Sequence, residues 1–380
     1  MISSRIESLP LLYGSLDQNL RPAKAARATD SVLVQVPMVG EGNPATAMAI
    51  ARRLESNQIP AELSYLTLSG IPAQAWHRRM TQSSEQSEQY TQTSEAKRKG
   101  RLAEIFGKVS KLEMEIVLSR FFDSNPNPIL IGVQEMQFLS YTAPQLLSRF
   151  SKTFLYIPDV FPKESAVDIL QRLPIQALVW NEEARRHLEK KGVNAVLVEP
   201  ILPFAFADAA SAQHRTSSDP YVLIKSSGSG MPNILAKALT EFHRERNIPF
   251  ELWLPDRVIT NDGSRPLPSS RQDKITAFYT NLLHNIPSLV IAYPSEMVQV
   301  FYALALHNIF VPYISLPPRG AHEHTNLNWG LKKRVITAQL GDTSTPPKMD
   351  NRLLLSQREL MRVSQSDAMT LREVIARARS

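Results

Sequence analysis

The segment from Ser226 to Gly230 carries the residue types that bind an anion through backbone and hydroxyl groups. It follows the apolar run Tyr221–Lys225, which is typical of a buried strand, and precedes Ile234–Arg244, which is typical of a helix. Glycine lets the backbone approach a ligand closely, and the N–H groups at a helix start favour negative charge. The segment therefore predicts a site for a nucleotide diphosphate, and a plain strand-to-helix connection is the alternative.

A second glycine-containing turn, from Gly40 to Pro44, joins the predicted strand Ser31–Pro37 to a predicted helix over Ala45–Leu54. Asn43 has the side chain of a helix N-cap, and Pro44 suits the first helical turn. The turn lacks both the Lys-Ser/Thr of a phosphate-cradling loop and a full dinucleotide fingerprint. We expect either a substrate-facing loop or a simple tight turn here.

A third polar segment, from Pro317 to Asn326, follows the predicted strand Ile309–Tyr313. Open α/β sheets bind ligands at the carboxyl ends of their strands, so these polar side chains suggest recognition of ligand hydroxyl groups. The cluster of His322, Glu323 and His324 does not have the spacing of a metal site, and no metal is expected. A solvated loop without a ligand is the alternative.

Strands and helices alternate along both halves of the chain, which predicts parallel sheets with helices on both faces. The other predicted strands are Pro60–Leu66, Ile129–Val133, Phe154–Ile157, Ala177–Trp180, Ala195–Val198, Phe250–Leu254 and Ser288–Ala292. Further helices are predicted over Glu182–Lys191 and Ser295–Leu306. Residues 200–220 are proline-flanked and then small and polar, which indicates a linker. We therefore predict an N-terminal Rossmann-like domain over 1–210, a C-terminal one over 211–350, and a helix within 351–380 that packs back on the first domain.

The bulk composition fits this division. The chain has 380 residues, of which 43% are hydrophobic and 21% charged, as in a globular protein of two ordinary domains. The net charge of +7 is mild and its bases are spread out, so no nucleic-acid partner is expected. The densest basic group, between residues 97 and 111, is interleaved with acidic residues. It favours a solvated helix face, with a membrane-facing or acceptor-facing patch as the alternative.

The absence of cysteine excludes disulfides, thiolate metal sites and thiol nucleophiles. The chain contains no run of about 18 apolar residues, so no transmembrane helix is expected. Its N-terminus lacks the charged-then-apolar pattern of a signal peptide. These features together predict a cytoplasmic protein, peripheral to the membrane if the basic segment meets lipid.

Taken together, these segments resemble the two-domain glycosyltransferases of the GT-B fold. The likeness is strongest to the group of monogalactosyldiacylglycerol synthases, processive diacylglycerol glucosyltransferases and the peptidoglycan N-acetylglucosamine transferase. It covers most of residues 31–335 through the order and spacing of short motifs, none of which is diagnostic alone. The motifs are GEGNPA, IPDVFPKESA, LVWNEEARRHLEKKGV with VEPILPFAF, SSGSGMP, AYPSEMVQVFYAL and PPRGAHEHTN.

The resemblance implies that the C-terminal half binds a nucleotide-diphosphate sugar, expected to be a UDP-sugar, without a metal or other cofactor. The donor-binding residues that it implies are Ser227, Gly228, Ser229, Gly230, Met231, Ser295, Glu296, Met297, Gln299, Arg319, Gly320, His322, Glu323 and Asn326. It also implies inverting transfer of the sugar to an acceptor hydroxyl. The acceptor is unknown, and both a lipid and a small molecule stay open.

Inverting transfer requires a base that takes the acceptor's proton while the donor diphosphate leaves. Three carboxylates are predicted near carboxyl ends of N-terminal strands. Glu41 lies in the first glycine turn, Glu135 follows the strand Ile129–Val133, and Asp159 lies in one of the matching motifs. The sequence leaves the choice among these three open. The loop expected beside the acceptor contains Gly40, Gly42 and Asn43.

Two positions depart from the pattern of this family. Asn43 stands where a histidine is common, and asparagine cannot accept a proton at neutral pH. Gln299 stands where a glutamate usually bonds the ribose, so any bond it makes there carries no charge. These departures keep a catalytically degenerate nucleotide-sugar-binding protein as one alternative. His322 and His324 could supply acid and base to the sugar, which keeps a sugar-nucleotide epimerase of the same fold as another.

Overall fold

The structure is a computed structural model. It describes residues 31–36, 42–65, 121–122, 125–134, 147–201, 220–226, 231–306, 309–319, 321–340 and 368–379.

Within these residues, six parallel strands form the sheet of the N-terminal half, in the order β2-β1-β3-β4-β5-β6. They are β1 (Val32–Val36), β2 (Ala61–Tyr65), β3 (Ile129–Val133), β4 (Lys152–Ile157), β5 (Gln176–Val179) and β6 (Ala195–Leu197). Side chains alternate between two buried faces: Val32 and Val34 pack on one face and Leu33 packs on the other. The order reverses between β1 and β3. That reversal makes their carboxyl ends the point where an open α/β sheet binds ligands.

Helices cover this sheet: α1 (Gly42–Ser56), α2 (Glu164–Arg172) and α3 (Glu182–Lys190). The side chain of Asn181 caps α3 by accepting from the Ala184 backbone N–H. The start of α1 corrects one prediction, because the helix begins at Gly42 and places Asn43 inside its first turn instead of at the N-cap. Glycine and proline cost little there, since the first four N–H groups need no intrahelical partner.

The described part of the C-terminal half contains a second sheet, ordered β10-β9-β8-β7-β11-β12-β13. Its strands are β7 (Val222–Lys225), β8 (Phe250–Trp253), β9 (Arg257–Thr260), β10 (Gly263–Pro266), β11 (Leu289–Ala292), β12 (Tyr313–Ser315) and β13 (Ala338–Gln339). The strands from β8 to β13 across the sheet are parallel, and β9 and β10 add an antiparallel edge. Here the order reverses between β7 and β11. The accompanying helices are α4 (Asn233–Glu245), α5 (Arg271–His284), α6 (Glu296–Leu306) and α7 (Ala321–Lys332).

The hairpin β9–β10 and the helix α5 are absent from the sequence predictions. The Asp262-Gly263 pair is a strong hairpin signal, and Gly263 has a φ of 147°, which favours glycine. Asn261 holds the turn, because its side chain accepts from the Phe250 N–H and donates to the Ile248 carbonyl. At the start of α5, the Ser270 hydroxyl accepts from the Asp273 N–H.

Two predictions near the end of this half are wrong. The strand expected over Ile309–Tyr313 is β12, which begins only at Tyr313, because Pro312 has no N–H to donate to a ladder. The loop expected from Pro317 to Asn326 becomes the helix α7 from Ala321 onward. Its buried side chains recur at helical spacing, so burial against the rest of the molecule stabilises the helix.

The two mainly parallel sheets with their helices confirm the predicted α/β class of two Rossmann-like halves. Residues 202–219 lie outside the described residues, so the domain boundary stays a prediction. A final helix, α8 (Leu371–Arg379), packs against α1. Just before it, Met369 bridges to Val198 beyond β6, with its N–H donating to the Leu197 carbonyl at 3.0 Å. Residues 351–367 lie outside the described part, and none of the described helices is long and apolar enough to cross a bilayer.

Candidate functional site

The carboxyl ends of β1 and β3 form the candidate ligand-binding edge of the first sheet. Glu41 and Gly40 follow β1 and Glu135 follows β3, but all three lie outside the described residues. Gln134, directly after β3, has a φ of 39°, in the left-handed region that residues other than glycine seldom adopt. Such a conformation costs about 1–3 kcal/mol and often occurs at functional sites.

Asp159 lies at the same edge, two residues after β4. The residue is 8% exposed, and each of its carboxylate oxygens accepts one amide hydrogen bond. The Gln134 side-chain nitrogen donates to Oδ2, and the Asn326 Nδ2 donates to Oδ1 at 3.2 Å. Gln134 belongs to the first half and Asn326 to the second. Of the three carboxylates proposed as base, Asp159 is therefore the one that the described residues place between the two halves.

The residues that hold the Asp159 turn come from both sides of it. The Trp180 indole N–H donates to the Pro158 carbonyl at 3.0 Å, and the Asn181 amide donates to the Val160 carbonyl at 2.9 Å. From the other half, Asn326 Oδ1 accepts from the Val160 N–H at 3.1 Å. These contacts hold residues 158–160 through their backbone.

The start of α7 carries a buried ion pair. Glu323 is 3% exposed, and its carboxylate accepts from the Arg319 backbone N–H at 2.7 Å and from the Arg319 guanidinium at 3.1 Å. Burial opposes ionisation of Glu323, but the charge of Arg319, the charge that His322 gains in acid and the bonds from Arg319 together hold its pKa below the usual range. The guanidinium also lies over the Tyr293 ring, 3.8 Å from its centre. Arg319 is thereby held at the carboxyl edge, beside both β11 and β12.

His322 lies next to this pair and faces charges from both halves. Burial lowers its pKa, and the cations Lys163 and Arg319 lower it further. The carboxylates of Asp159 and Glu323 act in the opposite sense but do not overcome these effects. The imidazole is therefore neutral at pH 7, where it can both donate and accept a hydrogen bond.

Gln299, on α6, also joins the halves. It is 3% exposed, and its Nε2 donates to the Tyr156 hydroxyl at 2.5 Å and to the Ile201 carbonyl at 3.2 Å. Both amide hydrogens are thus used, and a ligand hydroxyl would have to donate to Gln299 Oε1. Met297 is 1% exposed in the core and offers a ligand little surface.

The candidate ligand-binding edge of the second sheet lies at the carboxyl ends of β7 and β11. Ser226, 4% exposed, directly follows β7, and its N–H donates to the Trp253 carbonyl at 3.0 Å. The segment Ser227–Gly230 that follows lies outside the described residues, while Met231 is 9% exposed at the start of α4. On the other side, the Ser295 N–H donates to the Tyr293 carbonyl at 2.8 Å in the turn that enters α6.

Lys225 is a residue that the sequence predictions missed. It is 5% exposed, with its ammonium 4.6 Å from the centre of the Phe278 ring and 3.4 Å from the Ser226 carbonyl oxygen. A lysine that ends an apolar strand run directly before a glycine-serine segment is the signal that could have found it. It places a buried cation beside the segment predicted to bind a diphosphate.

An aromatic cluster joins the two halves. The Trp180 ring lies 5.3 Å from the rings of both Tyr302 and Trp329, and those two rings are 5.5 Å apart. Such contacts add about 0.5–1.5 kcal/mol per pair to the burial of the rings. An ion pair between Lys333 and Glu183 lies at the rim, where exposure makes it weak.

The structure thus brings together Asp159, Arg319, His322, Glu323 and Asn326, and sets Gln299 nearby. Ser295 and Met231 lie at the second ligand-binding edge, and Asn43 lies at the start of α1. The predicted site residues that lie outside the described part of the chain are Glu41, Glu135, Gly40, Gly320 and Ser227–Gly230. The side chain of Glu296 and the exposure of Gly42 are not described either. The roles assigned to all these residues stay predictions. Among the described side chains, no group of three or more His, Asp or Glu is arranged to hold a metal ion.

The Glu323 pair predicts a pH dependence of stability. Its folded pKa lies below the ordinary value of 4.5, so the unfolded chain takes up this proton first. The free energy of unfolding should therefore be undiminished by this group above pH 4.5 and fall as the pH drops below it. Urea denaturation over the acid range measures this. Glu323→Gln, which cannot titrate, should flatten the curve, and Arg319→Gln should shrink the acid loss, because without the guanidinium burial raises the folded pKa of Glu323. An unchanged slope in Glu323→Gln would contradict this assignment.

No protein-family model and no curated protein sequence matches the chain. Among solved structures, CalG4, the calicheamicin glycosyltransferase, is similar with 10% identity and a TM-score of 0.48, over 89% of this chain and 94% of that one. MurG of Acinetobacter baumannii is similar with 11% identity and a TM-score of 0.46, over 92% of this chain and 99% of that one. Similarities of this size do not indicate a function, which has to be argued from the residues of the chain.

Proposed function

We propose that this protein is a glycosyltransferase that moves a sugar from a nucleotide-diphosphate sugar to an acceptor hydroxyl. The observation that supports it most is the meeting of the two ligand-binding edges. Asp159, after β4 of one sheet, contacts Asn326 on the helix that follows β12 of the other. Two such edges facing each other can hold two different substrates and present one to the other.

The donor is assigned to the C-terminal half because positive potential gathers there. Helices α4, α6 and α7 follow the parallel strands β7, β11 and β12, so all three begin at the carboxyl edge. The N-terminus of each helix carries a partial positive charge. Lys225 adds a full positive charge at the same edge, whereas the charge of Arg319 is paired with the Glu323 carboxylate. This arrangement suits a diphosphate leaving group without a metal, and a UDP-sugar is the expected donor.

The acceptor is assigned to the N-terminal half, with Asp159 as the base. One carboxylate oxygen takes the proton of the acceptor hydroxyl as that hydroxyl oxygen bonds to the anomeric carbon. The bond from this carbon to the diphosphate oxygen breaks, and the electron pair leaves with the diphosphate. Attack opposite to the leaving group inverts the anomeric carbon. Each carboxylate oxygen already accepts one amide bond and keeps a lone pair for the acceptor.

Ligand binding and turnover test this proposal separately. UDP, GDP and their sugars, each supplied at about 100 times its dissociation constant, should raise the free energy of unfolding by about 2.7 kcal/mol if they bind the native state. Uridine without phosphates is the matched control. Sugar transfer is then measured with soluble alcohols and with vesicles that contain diacylglycerol, the vesicle arm testing a lipid acceptor and peripheral membrane binding.

The outcomes separate the alternatives. Donor binding with transfer to any acceptor supports the proposal. Donor binding without turnover on either class of acceptor would instead indicate a nucleotide-sugar-binding protein. Conversion of the donor alone to its epimer would indicate an epimerase, with His322, which lies near Asp159 and Glu323, as the candidate acid or base. Absence of any nucleotide-dependent stabilisation would overturn all three.

A further inference from the structure

The side chain of Asn326 makes both of its hydrogen bonds across the junction between the halves. The residue is 1% exposed. Its Nδ2 donates to Asp159 Oδ1 at 3.2 Å, and its Oδ1 accepts from the Val160 N–H at 3.1 Å. A side chain on the donor half is thereby used to hold two consecutive residues of the acceptor half.

The partners determine the orientation of this amide. The Val160 N–H is a donor and must face the amide oxygen, while the Asp159 carboxylate oxygen accepts and must face the amide nitrogen. Rotation of the amide by 180° would set its NH2 group against the Val160 N–H and its oxygen against the Asp159 carboxylate oxygen. Asn326 therefore has one arrangement here, and that arrangement aims a donor at Asp159.

The carboxylate depends on such donors because it is largely removed from water. A buried polar group without a partner loses about 1–3 kcal/mol, and a charged one loses more. Gln134 supplies the donor to one oxygen from the same half, and Asn326 supplies the donor to the other. The plane of the carboxylate is thus set by one residue from each half.

We propose that Asn326 is a positioning residue that orients Asp159 toward the acceptor hydroxyl. This inference rests on the proposed transferase function and changes one part of it, because the resemblance to known transferases places Asn326 among the donor-binding residues. The base of the acceptor half is aligned only when the donor half is packed against it. Proton removal is thereby coupled to the closed arrangement of the two halves.

The test is the Asn326→Asp variant, which keeps the shape and the acceptor for Val160 but loses the donor to Asp159. Misalignment of the base should lower kcat by about 10²-fold, with little change in the KM for the nucleotide sugar. Asn326→Ala removes the donor without adding a charge and should show the same split. Asn328→Asp is the matched control, because Asn328 is exposed on the same helix and should leave both constants unchanged.

A reciprocal exchange separates positioning from mere stability. In the double variant Asp159→Asn with Asn326→Asp, the hydrogen bond re-forms with its donor and acceptor exchanged. Its melting temperature should recover toward wild type relative to Asn326→Asp, while kcat stays low because the base is gone. This recovery is measurable even if neither variant transfers sugar.

The possible results distinguish the positioning role of Asn326 from donor binding. A raised KM with an unchanged kcat in Asn326→Asp would overturn the positioning role in favour of donor binding and leave the transferase proposal standing. Failure of the double variant to recover stability would overturn the pairing. A wild-type protein that transfers no sugar would overturn the proposed function and this inference with it.

Discussion

Replacing Asp159 with asparagine should lower kcat for sugar transfer by about 10²–10⁴-fold, the range that a general base contributes. The asparagine keeps the size of the side chain and an oxygen that accepts from Asn326, while its NH2 group replaces the oxygen that accepted from Gln134. We expect a modest loss of stability and a preserved fold. It cannot take a proton from the acceptor. Donor affinity should change little, because Asp159 belongs to the acceptor half. Initial rates over a range of donor and acceptor concentrations, together with the thermal shift caused by UDP, measure both quantities.

Asp168→Asn is the matched control for this variant, since Asp168 is exposed on α2 and should leave kcat unchanged. Glu41→Gln and Glu135→Gln complete the set, because the sequence alone leaves these carboxylates as candidates. If either of them abolishes transfer while Asp159→Asn remains active, the base lies after β1 or β3 and the assignment made here is wrong.

Truncation of Trp180 to alanine should lower the free energy of unfolding by about 3–5 kcal/mol. The indole is 1% exposed and packs between Tyr302 and Trp329 of the other half. Its removal leaves a cavity at the junction and an unsatisfied Pro158 carbonyl. Because Pro158 directly precedes Asp159, kcat should fall as well. Urea unfolding followed by circular dichroism, with rates measured on the folded variant, gives both effects.

The variant Trp180→Phe separates packing from hydrogen bonding. It retains an aromatic ring for Tyr302 and Trp329 but loses the bond to Pro158, so its loss of stability should be much smaller, near the 1–3 kcal/mol expected for an unsatisfied carbonyl. Two unfolding transitions in Trp180→Ala, against one in the wild type, would show that the halves have become independent. A loss below about 1 kcal/mol in that variant would contradict the role of the cluster.

The Asp159, Trp180 and Asn326 variants all change the junction between the two halves. The site proposed here is made where the halves touch, so packing, base alignment and donor binding are not independent of one another. Variants at the junction should therefore show coupled changes in stability and kcat, whereas variants at exposed positions of the same helices should show neither.

Much of the fold could be predicted from the sequence because its signals are local. The apolar run Ile129–Val133 is β3 with the same bounds, since a strand buried on both faces needs a continuous apolar segment. The start of α3 can be predicted because Asn181 is a favourable N-cap residue and the acidic Glu182 and Glu183 follow it in the first turn. The alternation of such elements was enough to predict two α/β halves.

Local sequence signals gave wrong predictions where the residues that contact a side chain come from distant parts of the chain. Polar residues after β12 suggested a loop, but burial of Glu323 and Asn326 on one side of α7 makes the segment a helix. Gln299 was compared with a ribose-binding glutamate, whereas the structure uses its amide hydrogens to bond Tyr156 and Ile201 of the other half. Hydrogen-bond partners of this kind leave no periodicity that a sequence could show.

The sequence by itself determined the fold class and proposed a short set of carboxylates that could act as base. Only the tertiary structure decided that Asp159 lies between the halves, held by Gln134 and by Asn326, which is 167 positions away along the chain. The physical reason is that strand and helix signals arise from near neighbours in sequence. The surroundings of a carboxylate arise from whichever residues the packing of two sheets brings beside it.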